Sequence, residues 1–220
     1  MIRSVVLFFV SLCMALPVFS ADRPAPLIPG VPAPLEWQNT PLDWKVEDGK
    51  LSITAGKQTD WFVSPIDGWH RDNSPRLLFQ PADDFVLSAK VTAPFDSQWD
   101  AGVLVLYLND NTWAKLCFEK SSEGAPTIVS VVTRTFSDDN NHFPLHTNSV
   151  YLKIAKAGQV IVFYASEDGK KWQGVRSFTF GPNVKVRVGF SSQSPNGQSA
   201  TAVFEDIHYA AKRINVWTGE

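Results

Sequence analysis

The chain has 220 residues, of which 44% are apolar, 19% charged and 12% aromatic, with a formal net charge of −2. This length suits one large all-β domain, and the apolar share is enough for a substantial core. There is no basic excess to draw nucleic acid or an anionic membrane surface, which excludes both as partners.

Residues 1–20 read as a secretory signal peptide. Arg3 gives a positive start, residues 5–16 an apolar run, and Val18-Phe19-Ser20 a cut after Ser20. The run is too short for a membrane span, so stable insertion is not expected and an uncleaved anchor is the alternative. Leu12 stands where a lipoprotein signal wants a small residue before Cys13. The expected location is therefore secreted or periplasmic. Without the signal, Cys117 is the lone cysteine. Its place in an apolar run predicts a buried, inert thiol.

Residues 21–34 carry five prolines and read as a strap over the domain surface. The domain itself is expected over residues 35–210, with a peripheral tail at 211–220. Residues 43–55 form a hairpin around Asp48-Gly49, and 59–63 a short extended piece. Residues 64–75 read as a loop holding Trp69, His70 and Arg71. Residues 85–92 alternate, with Phe85, Leu87, Ala89 and Val91 on the apolar face. Residues 101–108 are apolar on both faces, as in a covered central strand. Residues 113–120 put Trp113, Lys115, Cys117 and Glu119 on one face and Ala114, Leu116 and Phe118 on the other. Residues 127–134 are rich in β-branched side chains, and 136–148 read as a long Asn-rich loop. Strands follow at 150–155, 160–166, 171–180, 184–191 and 201–209. About a dozen strands at regular spacing, with no convincing helix, predict a β-sandwich or jelly roll.

Several stretches carry a family likeness. They are Asp100-Ala101-Gly102-Val103-Leu104-Val105, Asn111-Thr112-Trp113-Ala114-Lys115 with Glu119, and Ser130-Val131-Val132-Thr133 with Phe136-Ser137-Asp138. Thr59-Asp60-Trp61, Tyr151-Leu152-Lys153-Ile154, Tyr164-Ala165-Ser166-Glu167-Asp168-Gly169-Lys170-Lys171-Trp172 and Phe204-Glu205-Asp206-Ile207 follow in the same order. Together they resemble the DUF1349 family of the concanavalin A-like lectin/glucanase superfamily, whose members include proteins labelled "regulation of enolase protein 1". The resemblance implies an all-β concanavalin A-like sandwich, a jelly roll of two curved antiparallel sheets with a concave face. One departure is that Asp139-Asn140 stand where the family often has an aromatic.

Glycoside hydrolysis needs two carboxyl groups flanking the bond. No strand carries Glu-x-Asp or Glu-x-x-x-Glu, so no catalytic residue is assigned and an enzyme is not the leading expectation. Glu119 is the lone acid within a central strand. The rival is a glycosidase or polysaccharide lyase pairing Glu119 with a distant acid or Lys115. Sugar binding without catalysis needs exposed aromatic faces beside polar groups. Trp61, Trp69, Trp99 and Trp113 sit at loop edges or strand starts. The candidate ligand-binding set is Asp60, Trp61, Trp99, Asp100, Trp113, Lys115 and Glu119, and its expected partner is a glycan or polysaccharide. For each tryptophan the competing role is core packing. No cofactor is expected beyond the structural Ca2+ that the superfamily implies. The oxygen-rich Asn109-Asp110-Asn111, Asp138-Asp139-Asn140 and Asp206 suit Ca2+, although turns favour such residues for backbone reasons alone. A domain that binds only proteins is the third alternative; a concave face closed by Tyr107 or Phe118 would favour it.

Overall fold

The computed structural model describes residues 23–220, so the predicted signal peptide lies outside the described residues. Strands account for the whole of the regular structure described. The first sheet runs in the order β1 (Glu36–Gln38), β6 (Arg76–Phe79), β15 (Arg187–Gln193), β8 (Ala101–Asn109), β9 (Thr112–Lys120), β10 (Pro126–Arg134), β11 (Phe136–Pro144). The second runs β14 (Gln173–Phe178), β13 (Val160–Ser166), β12 (Ser149–Ala157), β7 (Phe85–Thr92), β16 (Ser199–Ala210), β3 (Lys50–Gly56), β2 (Asp43–Glu47). A separate two-stranded ribbon, β4 (Trp61–Val63) and β5 (His70–Asp72), completes the set. The predicted all-β sandwich of two antiparallel sheets is what the chain forms. Among the described residues, no helix is long and apolar enough to cross a membrane.

Period-2 alternation explains the core. On β7, Phe85, Leu87, Ala89 and Val91 are buried between the sheets, facing Leu104, Leu116, Phe118 and Phe190 of the first sheet. The sheets approach each other closely at Gly102. A Cβ there would sit 2.4 Å from Val91 Cγ1, so only glycine fits. The proline strap joins this core through buried Ile28. It is tied down by Arg23, which pairs with Asp43 at 2.6 Å and lies over the Trp44 ring.

Three sequence expectations need correction. Residues 136–144, read as loop, form the edge strand β11, because β10 presents a full row of backbone partners and an edge tolerates polar side chains. Residues 70–72, also read as loop, form β5. The tail is more than peripheral. Ile214 is buried against Val86, Val162 and Tyr164 on the outer face of the second sheet. Lys153 Nζ donates to the Gly219 carbonyl at 2.9 Å, and burial lowers the Lys153 pKa to about 8.

Candidate functional site

On β9 the alternation sends Ala114, Leu116 and Phe118 into the core and Trp113, Lys115, Cys117 and Glu119 to the outer face of the first sheet. Register then builds rows across that face. Gln193, Ala101, Glu119 and Thr127 share one row. Ser191, Val103, Cys117 and Val129 share the next, and Val105, Lys115, Val131 and Asp139 a third. Phe118 faces the core, so it does not close this outer face.

The β4–β5 ribbon lies over one end of the face. The Trp61 ring stacks on Trp113 at 4.0 Å and has the Arg76 guanidinium 4.1 Å from its centroid. Val63 N donates to Ser137 Oγ of β11, and Asp60 is braced by Asn73 and Ser74, which both donate to its carbonyl. Between the ribbon, Trp99 and the turn after β15 lies a cleft of about 420 Å³. Lys115, Glu119, Gln193, Val129 and Val131 line its depth. Trp69, Arg71, Trp99, Asp139 and Asn196 line its rim.

One hydrogen-bond chain orders the floor. Lys115 Nζ donates to Asp60 Oδ1 at 3.2 Å and to Gln193 Oε1 at 3.0 Å. A lysine only donates, so this fixes the Gln193 amide with its nitrogen toward Glu119. Gln193 Nε2 donates to Glu119 Oε2 and to the Trp99 carbonyl, each at 3.2 Å. Burial works against the Lys115 charge, but the nearby acids, Asp60 first, outweigh it and raise the Lys115 pKa. Burial pushes Glu119 up to about 8, with Lys115 opposing the rise and Asp60 and Asp139 adding to it. At neutral pH Glu119 is therefore an uncharged acid.

Trp99 and Trp69 are the aromatic surfaces offered at the rim, 39% and 45% exposed. Trp99 sits at φ +67°, a left-handed conformation that a bulky residue adopts only under constraint. The constraint is visible: its N–H donates to the Lys120 carbonyl and its own carbonyl accepts from Gln193. Strain held by surrounding bonds points to a position kept for use. The Arg71 guanidinium lies 5.0 Å over the Trp69 ring.

Of the seven residues singled out from sequence, the fold brings Asp60, Trp99, Lys115 and Glu119 to the cleft. Trp61, in the ribbon, and Trp113, beneath it, are buried against each other and offer no stacking face. Asp100 is fully buried. It accepts from Ser194 Oγ at 2.7 Å and Ser97 N at 2.8 Å, pinning the turn that carries Trp99. Sequence reasoning missed Gln193 and Arg71. Extending the β15 alternation by one period puts Gln193 on the Lys115 face, but nothing local reveals a partner 78 residues away.

The oxygen-rich stretches proposed for Ca2+ do not converge. Asp110 accepts from the Tyr107 hydroxyl, Asp138 pairs with Arg176, and Asp206 accepts from Tyr151. Among the described residues, no three His, Cys, Asp or Glu side chains gather as a metal site. The residues present do not fit the ion.

Comparison with known proteins places this geometry in a family. A solved yeast protein described as functionally unknown, from Saccharomyces cerevisiae, superimposes with a TM-score of 0.75 at 23% identity, over 81% of this chain and 96% of that one. The "Regulation of enolase protein 1" of Saccharomyces cerevisiae is 23% identical over 171 residues, spanning 77% of this chain and 86% of the relative. A xylan beta-1,4-xylosidase from Bacillus halodurans C-125 superimposes with a TM-score of 0.62 at 18% identity, over 84% of this chain but only 40% of the enzyme. Both structural likenesses are of fold. The model of the "Protein of unknown function (DUF1349)" family matches residues 37–212, which takes in every residue of the cleft and both sheets apart from Glu36. By that match, and in agreement with the sequence motifs, the chain belongs to the DUF1349 family.

Proposed function

We propose that this chain is an exported, non-catalytic module that binds carbohydrate in the cleft on the outer face of its first sheet. The observation that carries this is the pairing of two exposed indoles, Trp69 and Trp99, with a buried polar floor of Lys115, Gln193 and Glu119. Sugar rings present apolar faces to aromatic rings and a fringe of hydroxyls to such donors and acceptors. Export rests on the apolar leader at residues 1–20.

The test is a glycan array followed by affinity electrophoresis on soluble polysaccharides. Trp99→Gly relieves the left-handed strain while removing the stacking face. It is expected to lower affinity about tenfold, or ~1.4 kcal/mol, with thermal stability unchanged or slightly raised. Trp69→Ala is expected to weaken binding in the same way. Retention unchanged in both variants would refute the site.

A second reading is acid-assisted cleavage. The favouring observation is that Glu119, an uncharged acid at neutral pH, shares its cleft with two further carboxyls, Asp60 and Asp139. It predicts release of reducing ends or unsaturated sugars from a bound polysaccharide, abolished in Glu119→Gln. Binding without turnover, kept in that variant, supports the non-catalytic module.

A further inference from the structure

We infer that the cleft takes an acidic sugar, with Arg71 holding the ligand's carboxylate or sulfate beside the exposed indoles. This rests on the carbohydrate-binding reading and specifies the class of sugar the cleft takes.

Arg71 and Phe62 are register partners across the β4–β5 ribbon, and both line the cleft. The Arg71 guanidinium lies 5.0 Å from the Trp69 ring centroid, and its Nη1 donates to the Pro195 carbonyl at 3.5 Å. These contacts aim the group while using one of its five N–H donors. Among the described residues Arg71 has no acid partner. Its chain neighbour Asp72 is taken by Arg76, and Asp60 by Lys115. A planar fork of unspent donors beside an aromatic face suits an oxyanion, which it can hold through two parallel hydrogen bonds.

The other charges leave that end of the cleft positive. Lys115 and Asp60 offset each other on the floor, and Glu119 carries no charge at neutral pH. Asp139 stands on β11, whereas Pro195 follows β15. Those strands are four spacings apart in the first sheet, ~19 Å of backbone at ~4.8 Å each. That exceeds the ~8 Å over which exposed charges act on one another at physiological salt. The turn that receives Arg71 also holds the Trp99 segment: Gln193 Nε2 donates to the Trp99 carbonyl and Asn196 Nδ2 to Gln98 Oε1. A sugar stacked on either indole therefore sets an acidic substituent against Arg71 and leaves its hydroxyls to Gln193 and the far acid, Asp139.

Isothermal titration of the chain at pH 7 with gluco-oligosaccharides, their C6-oxidised glucuronic acid counterparts and their C6 sulfate esters tests this, at salt from about 20 to about 500 mM. The expected result is that at least one acidic series binds about tenfold tighter than the neutral one at low salt and loses that lead as salt rises. The series that leads identifies the oxyanion. Arg71→Gln should bring the acidic-to-neutral affinity ratio down to about one, with thermal melts establishing that it is folded. Lys170→Gln removes an equal charge from an exposed turn of the second sheet, outside the cleft, and should leave the ratio as in the parent. The salt dependence of the parent is a readout that needs no variant. Neutral binding as tight as acidic, a lead that survives in Arg71→Gln, or one lost equally in Lys170→Gln overturns the inference while leaving carbohydrate binding intact. Binding of no series, with no other glycan retained, overturns the carbohydrate reading and this inference with it.

Discussion

Asp60→Ala is expected to destabilise the fold by ~3 kcal/mol, read as a fall in urea midpoint at constant m-value. Asp60 is the counter-ion of Lys115, whose side chain is almost fully buried. Removing it leaves an ammonium in the sheet face with Gln193 as its only hydrogen-bond partner among the described residues. Lys115→Met is expected to cost less, because the stranded group is then Asp60, which is nearer solvent. A double substitution with Asp60→Leu and Lys115→Met should recover most of the loss, since well-packed apolar pairs often replace buried ion pairs without penalty. A cost below ~1 kcal/mol for Asp60→Ala would class the pair with ordinary surface bridges and remove the case for a rigid cleft floor.

Trp113→Ala should cost ~4 kcal/mol in the same measurement. The indole is fully buried, stacks on Trp61 at 4.0 Å and underlies the β4–β5 ribbon. The variant empties the contact on which the ribbon rests, so the proposed glycan binding is expected to fall with stability. Trp113→Phe separates packing from hydrogen bonding. Trp113 Nε1 is buried without a partner, so phenylalanine removes an unsatisfied donor along with some volume and should cost well under half as much. Equal penalties for the two variants would mean that indole shape, rather than bulk, holds the ribbon. A penalty under ~1 kcal/mol for Trp113→Ala would show that the ribbon is anchored elsewhere.

Much of the architecture is legible in the chain because sheet faces follow a period of two. The Trp113, Lys115, Cys117 and Glu119 face and the Phe85, Leu87, Ala89 and Val91 face both follow from spacing alone. What spacing cannot say is which outward face carries the cleft. Gln193 meets Lys115 and Glu119 only because β15 pairs with β8, a contact between strands far apart in the sequence. The same limit separates the tryptophans. Trp99 and Trp113 both stand near strand starts, yet one lies on a strained turn at the rim and the other under the ribbon. Asp100 misled for a local reason: neighbouring residues at a strand start diverge, and it turned to Ser97 and Ser194. The edge strand β11 was hidden because its residues are polar, and only the partner strand supplies the reason to extend.

Cys117 gives the cleft a built-in clock. It is the one cysteine among the described residues, fully buried in the same apolar cluster as Trp61 of the ribbon. Burial raises its pKa, so the closed protein offers a labelling reagent neither access nor thiolate. Reaction must then await a moment when the packing over Cys117 opens. Under native conditions the labelling rate measures how often that happens, and any occupant bridging Trp69 and Trp99 slows it.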